Sequence, residues 1–100
     1  MSGYTVYVTP RAWSEIKDLP GNMRQRVKRA IGELGNNPRP ATSKALDIPD
    51  FEIDLYRLRL DRWRIVYAIT EAESAIDILT VRKRPPYDYG DLTELLAEAE

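Results

Sequence analysis

The segment YRLRLDRWRIVY, residues 56–67, constrains the fold more than any other part of this sequence of 100 residues. Apolar residues and arginines alternate on both sides of Asp61, and a period of two is typical of β-strands with one buried face. Because the break at Asp61 is so short, the two strands must be antiparallel neighbours. The hairpin therefore has one apolar face and one face rich in arginine.

The N-terminal part of the sequence predicts one strand and two helices. The β-branched and aromatic run YTVYV indicates a strand at residues 4–8. Apolar residues at helical spacing predict a helix over residues 10–19 and a second helix of about 13–15 residues, which ends at the segment 35–38. Because the break at residues 20–22 is short, the two helices are expected to form an antiparallel hairpin.

The rest of the sequence predicts a long connection at residues 36–50 and three strands at residues 51–60, 62–69 and 75–82. It ends in an acidic C-terminal helix or tail at residues 88–100. The expected fold is a single α+β domain over residues 1–100, with the order β-α-α-β-β-β-α. In the simplest packing, an antiparallel β-sheet carries the N-terminal helical hairpin on one face. The other face is then open to polar side chains.

Composition limits the chemistry that this chain can perform. The sequence has no cysteine and no histidine, which excludes the usual zinc sites and the Ser-His and Cys-His nucleophile pairs. We expect no metal, no cofactor, no membrane span and no signal peptide, and hence a cytoplasmic protein. The net charge is −1, but residues 88–100 hold five acids and no base, while residues 1–87 hold 15 basic and 11 acidic residues. The body of the protein is therefore mildly basic.

Six arginines are expected to share the open face of the sheet, because the apolar residues between them face the helices: Arg57, Arg59, Arg62, Arg64, Arg82 and Arg84. Their mutual repulsion requires acids or a polyanion as partners. One interpretation is a solvated surface on which they pair with nearby carboxylates. The other is a phosphate-binding surface, because guanidinium groups suit bidentate phosphate contacts. The next segment adds Lys83, Tyr87 and Tyr89, whose rings either pack on the core or stack on bases.

The sequence resembles the RelE/ParE toxin superfamily in the segments YTVYVTPRAWSEIKDLP, LYRLRLDRWRIVYAI and ILTVRKRPPY. RelE-like members cleave mRNA in the ribosomal A site and are neutralised by an antitoxin encoded beside them. The resemblance implies the toxin of a type II toxin–antitoxin system, an endoribonuclease whose partners are a cognate antitoxin, mRNA and the ribosome with its rRNA. The alternatives are a ParE-like inhibitor of DNA gyrase without nuclease activity, and an inactive homologue that only binds its antitoxin.

Matched by position, the resemblance implies catalytic roles for Arg57, Arg59, Arg64, Arg84 and Tyr87, and RNA-binding roles for Arg62, Arg82, Lys83 and Tyr89. The arginines would stabilise the phosphorane formed by attack of the RNA 2′-OH. A tyrosine crowded by arginines would act as the base, and Tyr89 competes with Tyr87 for that role.

The acid that protonates the leaving 5′-oxygen stays unassigned. The typical RelE pattern has lysines where this chain has Arg57 and Arg59, and an arginine stays protonated. Lys83 is the only lysine expected in the patch, and strand alternation points it to the opposite face.

Overall fold

The computed structural model describes residues 3–46 and 54–83, which form two helices and one five-stranded sheet. The elements in chain order are β1 (Thr5–Val8), α1 (Pro10–Lys17), α2 (Gly21–Leu34), β2 (Ser43–Leu46), β3 (Asp54–Leu60), β4 (Trp63–Thr70) and β5 (Ala75–Lys83), with a 3-10 turn at Glu71–Glu73. The strand order is β1-β5-β4-β3-β2. β1 is parallel to β5, and every other neighbouring pair is antiparallel.

The predicted α+β fold is confirmed, with both helices and the arginine-rich hairpin at their expected places. One pair departs from the expected antiparallel arrangement, because β1 runs parallel to β5. These two strands are joined through the whole domain, so no short turn fixes their relative direction.

The segment predicted as a long connection contains the edge strand β2, which pairs with β3. The long connection predicted over residues 36–50 therefore contains a strand that the sequence analysis did not predict. The strand was missed because its sequence, SKAL, is short and contains Lys and Ala, which are depleted in strands.

The apolar residues of both helices pack against one face of the sheet. The core brings together Ala12, Ile16, Val27, Ile31 and Leu34 of the helices with Leu58, Ile65, Tyr67, Ile76 and Ile78 of the strands. The apolar half of the hairpin faces the helices, as the alternation predicted. The middle of the opposite face of the sheet is not exposed to solvent, since Leu55, Val66 and Ala68 are buried there. The arginine surface is thus confined to the end of the sheet near the β3–β4 turn.

A β-bulge in β5 sets which face its last residues occupy. Val66 pairs with Thr80 and the next residue, Tyr67, pairs with Ile78, so Leu79 is an extra residue on β5. A bulge of this kind reverses the alternation of side chains. As a result Ile78 and Val81 both face the helices. Without the bulge, Arg82 would share the face of Ile78.

Helix α1 is tied to β5 where β1 no longer pairs with it. Thr9 caps the helix, accepting a hydrogen bond from the Ala12 amide at 3.2 Å, and donates to the Leu79 carbonyl at 3.3 Å. Further along the same helix, Glu15 Oε1 accepts a hydrogen bond from the Val81 amide at 3.0 Å. These side chains satisfy backbone groups that a longer β1 would have paired.

Several predicted features lie outside the described residues. They are the start of the strand predicted over residues 51–60, the acidic helix or tail at 88–100, and the site residues Arg84, Tyr87 and Tyr89. None of the described helices is both long enough and apolar enough to span a bilayer.

Candidate functional site

Three arginines lie directly opposite one another on the three central strands, at the end of the sheet near the β3–β4 turn. Arg59 of β3 is the cross-strand neighbour of Arg64 of β4, and Arg64 is the neighbour of Arg82 of β5. Like charges in directly opposed positions destabilise a sheet. The stability of the fold therefore does not account for this row of cations.

The middle arginine is fixed in place by the hairpin turn. Arg64 is only 5% exposed, and its Nη1 donates hydrogen bonds of 2.9 Å to the carbonyls of Asp61 and Trp63. Asp61 adopts a left-handed conformation, with φ of 56°, which an aspartate tolerates. An ion pair with Arg26 of α2 holds this turn, and Arg26 lowers the pKa of the Asp61 carboxyl through a hydrogen bond and its charge. The guanidinium group of Arg64 is thus preorganised.

Helix α1 positions the third arginine of the row. Arg82 Nε donates to the Thr80 hydroxyl oxygen at 3.3 Å, and that hydroxyl donates to Glu15 at 2.6 Å. Thr80 is completely buried, so this connection is shielded from water. Glu15 therefore supports both the strand and the side chain of Arg82.

The arginine face contains a small pocket whose charged lining residues are all cations. It has a volume of about 100 Å³ and is lined by Thr42, Lys44, Arg57, Arg59 and Arg64. The pocket therefore has room for several water molecules, or for a small polar group in their place. A concave site lined by one sign of charge concentrates the field and attracts counter-ions. The arrangement is suited to an anion.

The ion pairs between described acids and arginines involve Arg26 and Arg39, which lie outside this pocket. Arg39 donates to Glu71 Oε1 at 2.6 Å, and the Tyr4 hydroxyl donates to Glu71 Oε2 at 2.7 Å. The hydrogen bond from Tyr4, followed by that from Arg39, holds the pKa of Glu71 below its ordinary value. Within residues 3–46 and 54–83, neither Arg57 nor Arg59 has a side-chain hydrogen-bond or ion-pair partner. Among the described residues, carboxylate pairing of these two arginines is limited to an electrostatic interaction of Arg59 with Asp61, whose pKa is lowered mainly by Arg26 and to a smaller extent by the charge of Arg59.

The predicted site residues fall into three groups. The pocket brings together Arg57, Arg59 and Arg64, and the register places Arg82 beside Arg64. Arg62 lies instead in the exposed turn between β3 and β4, at the end of the sheet. Lys83 is opposite Trp63 and so on the other face, as strand alternation predicted. The third group, Arg84 and the two tyrosines at positions 87 and 89, lies outside the described residues.

The sequence analysis missed Lys44, which lines the pocket from β2. The expectation that Lys83 is the only lysine of the patch is therefore wrong. Lys44 is the cross-strand neighbour of Arg57, and paired residues project to the same face. Once β2 is recognised, the alternation of Thr42 and Lys44 would place both on this face.

The described residues contain no site for a metal ion. No group of three or more acidic, histidine or cysteine side chains within residues 3–46 and 54–83 is arranged to hold one. The pocket itself offers a hydroxyl and cationic groups, which are donors rather than metal ligands.

The fold and the pocket define a small α+β protein with a preorganised cationic site. Residues 6–85 match the family described as the ParE toxin of the type II toxin–antitoxin system parDE. Because this match covers most of the sequence, the chain belongs to that family, within the RelE/ParE toxin superfamily. Comparison with curated proteins found no significant match.

The fold is similar to that of several solved RelE toxins. The archaeal RelE–RelB complex from Pyrococcus horikoshii aligns with a TM-score of 0.75 at 24% identity, over 87% of this chain and 100% of that one. The RelBE2 toxin–antitoxin complex from Mycobacterium tuberculosis gives 0.70 at 27% identity, over 84% and 94%. The isolated RelE toxin of E. coli gives 0.69 at 22% identity, over 94% and 99%. These similarities confirm the predicted resemblance and fold.

Proposed function

We propose that this toxin is a ribosome-dependent endoribonuclease that cleaves mRNA in the A site. The observation that carries the proposal is the pocket formed by Lys44, Arg57, Arg59 and Arg64, whose cationic lining is suited to a phosphate group. Within residues 3–46 and 54–83, Arg57 and Arg59 have no side-chain hydrogen-bond or ion-pair partner, although cations in one pocket repel each other. An RNA phosphate would relieve this repulsion.

The pocket supplies charge stabilisation for cleavage of the phosphodiester. Attack by the RNA 2′-OH builds negative charge on the phosphoryl oxygens, and preorganised donors stabilise charge that develops in the transition state. Arg64, held by two backbone carbonyls, needs no reorganisation to serve in this way. The arginines do not act as the base, because they stay protonated. We assign that role to Tyr87, with Tyr89 as its competitor.

We also propose that residues 1–100 form a single toxin domain that is neutralised in the cytoplasm by a cognate antitoxin. The solved relatives from Pyrococcus horikoshii and Mycobacterium tuberculosis are toxin–antitoxin complexes, which supports such a partner. In the absence of the antitoxin, mRNA and ribosomal RNA would be the polyanions that meet the pocket.

The test is induction of the toxin alone in bacteria, followed by mapping of mRNA 5′ ends. We expect translation-dependent cuts within codons that are lost in Arg57→Ala and Arg59→Ala. The matched control is Arg29→Ala, which removes an exposed arginine of α2 outside the pocket and should leave cleavage intact. Cuts that persist in both pocket variants would refute the assignment of the site.

Inhibition of DNA gyrase is the second candidate function. It is favoured by one observation, that the matching family is described as the ParE toxin. Growth arrest with intact mRNA, together with inhibition of the supercoiling activity of purified DNA gyrase by the purified toxin, would establish this function instead. Absence of any arrest would leave a homologue that only binds its antitoxin.

A further inference from the structure

Lys44 is placed in the site by two independent features of the sheet. It is the cross-strand neighbour of Arg57, so both side chains project from the same face. It also lines the pocket with Arg57, Arg59 and Arg64, and its own side chain is exposed to solvent. An approaching phosphodiester would therefore contact Lys44 as well as the arginines.

The pocket otherwise lacks a group that can give up a proton. Cleavage requires protonation of the leaving 5′-oxygen as well as stabilisation of the phosphorane. Its arginines keep their protons in proteins, and a threonine hydroxyl is too weak an acid. A lysine ammonium can release a proton and is known to act in acid–base catalysis. Among the described residues that line the pocket, only Lys44 has this chemistry.

We propose that Lys44 is the general acid of the reaction, an inference that rests on the nuclease function proposed above. The 2′-oxygen attacks phosphorus, and its proton passes to the base assigned to Tyr87. The bond between phosphorus and the 5′-oxygen then breaks, and its electron pair stays on that oxygen. A proton moves from Lys44 Nζ to the same oxygen. The products are a 2′,3′-cyclic phosphate and a 5′-hydroxyl, and the neutral amine recovers its proton from water.

A purely structural role does not account for Lys44. Within the described residues its ammonium has no hydrogen-bond or ion-pair partner, and its charge is repelled by the neighbouring arginines. Removal of the ammonium group should therefore leave the stability of the fold unchanged or slightly raised. This distinguishes Lys44 from residues that hold the site together.

The experiment measures single-turnover cleavage of an mRNA bound to programmed ribosomes. The first substrate is all-oxygen RNA, and the second carries a sulfur in place of the 5′-bridging oxygen at the codon phosphate that the wild type cleaves. A thiolate leaves without being protonated. General acid catalysis contributes about 10²–10⁴-fold, so Lys44→Ala and Lys44→Arg should both slow the oxygen substrate by at least about 10²-fold. Both variants should cleave the sulfur substrate at close to the wild-type rate.

The outcomes separate the two proposals. If wild-type toxin cleaves neither substrate, the nuclease function itself is refuted. Two other results would refute only the role of Lys44 as acid, provided that wild type cleaves RNA. One is that Lys44→Arg cleaves the oxygen substrate as fast as wild type. The other is that Lys44→Ala cleaves the sulfur substrate much more slowly than wild type. Lys17→Ala, an exposed lysine at the end of α1, is the matched control and should behave as wild type on both substrates.

Discussion

Replacement of Glu15 by alanine removes an acceptor that serves two donors of β5. The carboxylate accepts from the Val81 amide at 3.0 Å and from the Thr80 hydroxyl at 2.6 Å, and both donor residues are buried. A buried donor left without a partner costs about 1–3 kcal/mol. The Thr80 hydroxyl can rotate toward another acceptor, whereas the amide cannot. We therefore expect the free energy of unfolding to fall by about 2–3 kcal/mol in Glu15→Ala.

Urea unfolding followed by tryptophan fluorescence measures this change. Glu15→Gln keeps an oxygen that can accept both hydrogen bonds and loses only the contribution of the charge, so it should lose about 1 kcal/mol. Glu33→Ala, an exposed glutamate of α2, is the control and should stay within about 0.5 kcal/mol of wild type. For a domain of this size, each 1 kcal/mol corresponds to about 4–8 °C in Tm. A loss below about 0.5 kcal/mol in Glu15→Ala would refute the argument, as would a glutamine variant no better than the alanine one.

Three further predictions concern the hydrogen bond of Tyr67, the dependence of stability on pH, and the pocket. Tyr67→Phe removes the hydrogen bond of 2.7 Å from the buried hydroxyl to the Pro38 carbonyl and should reduce the free energy of unfolding by about 1 kcal/mol in urea. The pKa of the Glu71 carboxyl is lowered in the folded state, so its ionised form stabilises the fold. This contribution to the free energy of unfolding is fully present above the ordinary pKa of 4.5 and is lost as the pH falls below that value. In Glu71→Gln, Tm should therefore decrease less steeply than in wild type as the pH is lowered through that range. The same decrease of Tm in both proteins would contradict this. Arg59→Gln should make the slope of log K against log salt for single-stranded RNA less steep by about 0.7, whereas Arg29→Gln should not change it.

The hairpin could be predicted because apolar residues and arginines alternate within one continuous segment, residues 56–67. Alternation placed Tyr67 and Ile65 toward the helices and Arg57 and Arg59 on the other face, and the structure agrees. These assignments need only local geometry and a buried face. The same is true of Arg64, although nothing in the sequence indicated that it would be 5% exposed and held by the turn carbonyls.

The rest of the site depends on contacts between distant parts of the chain. Lys44 enters the pocket only because β2 pairs with β3, and that pairing leaves no pattern in a four-residue strand. Arg82 reaches Arg64 only because Leu79 is an extra residue, and one-residue bulges are not visible as a change in composition. Glu15 is an ordinary helical residue in the sequence, and its role follows from where β1 stops.

The parallel pairing of β1 with β5 has a consequence for the order in which the toxin can form during translation. Thr5 is synthesised well before its sheet partner, Ala75. Domains rich in such distant contacts fold slowly, because a long loop must close before the contact is gained. A ribosome that has translated only through β4 has produced all three pocket arginines, but neither Arg82 nor β5, the partner strand of β1. For the proposed nuclease, this postpones attack on ribosomes until β5 has been synthesised.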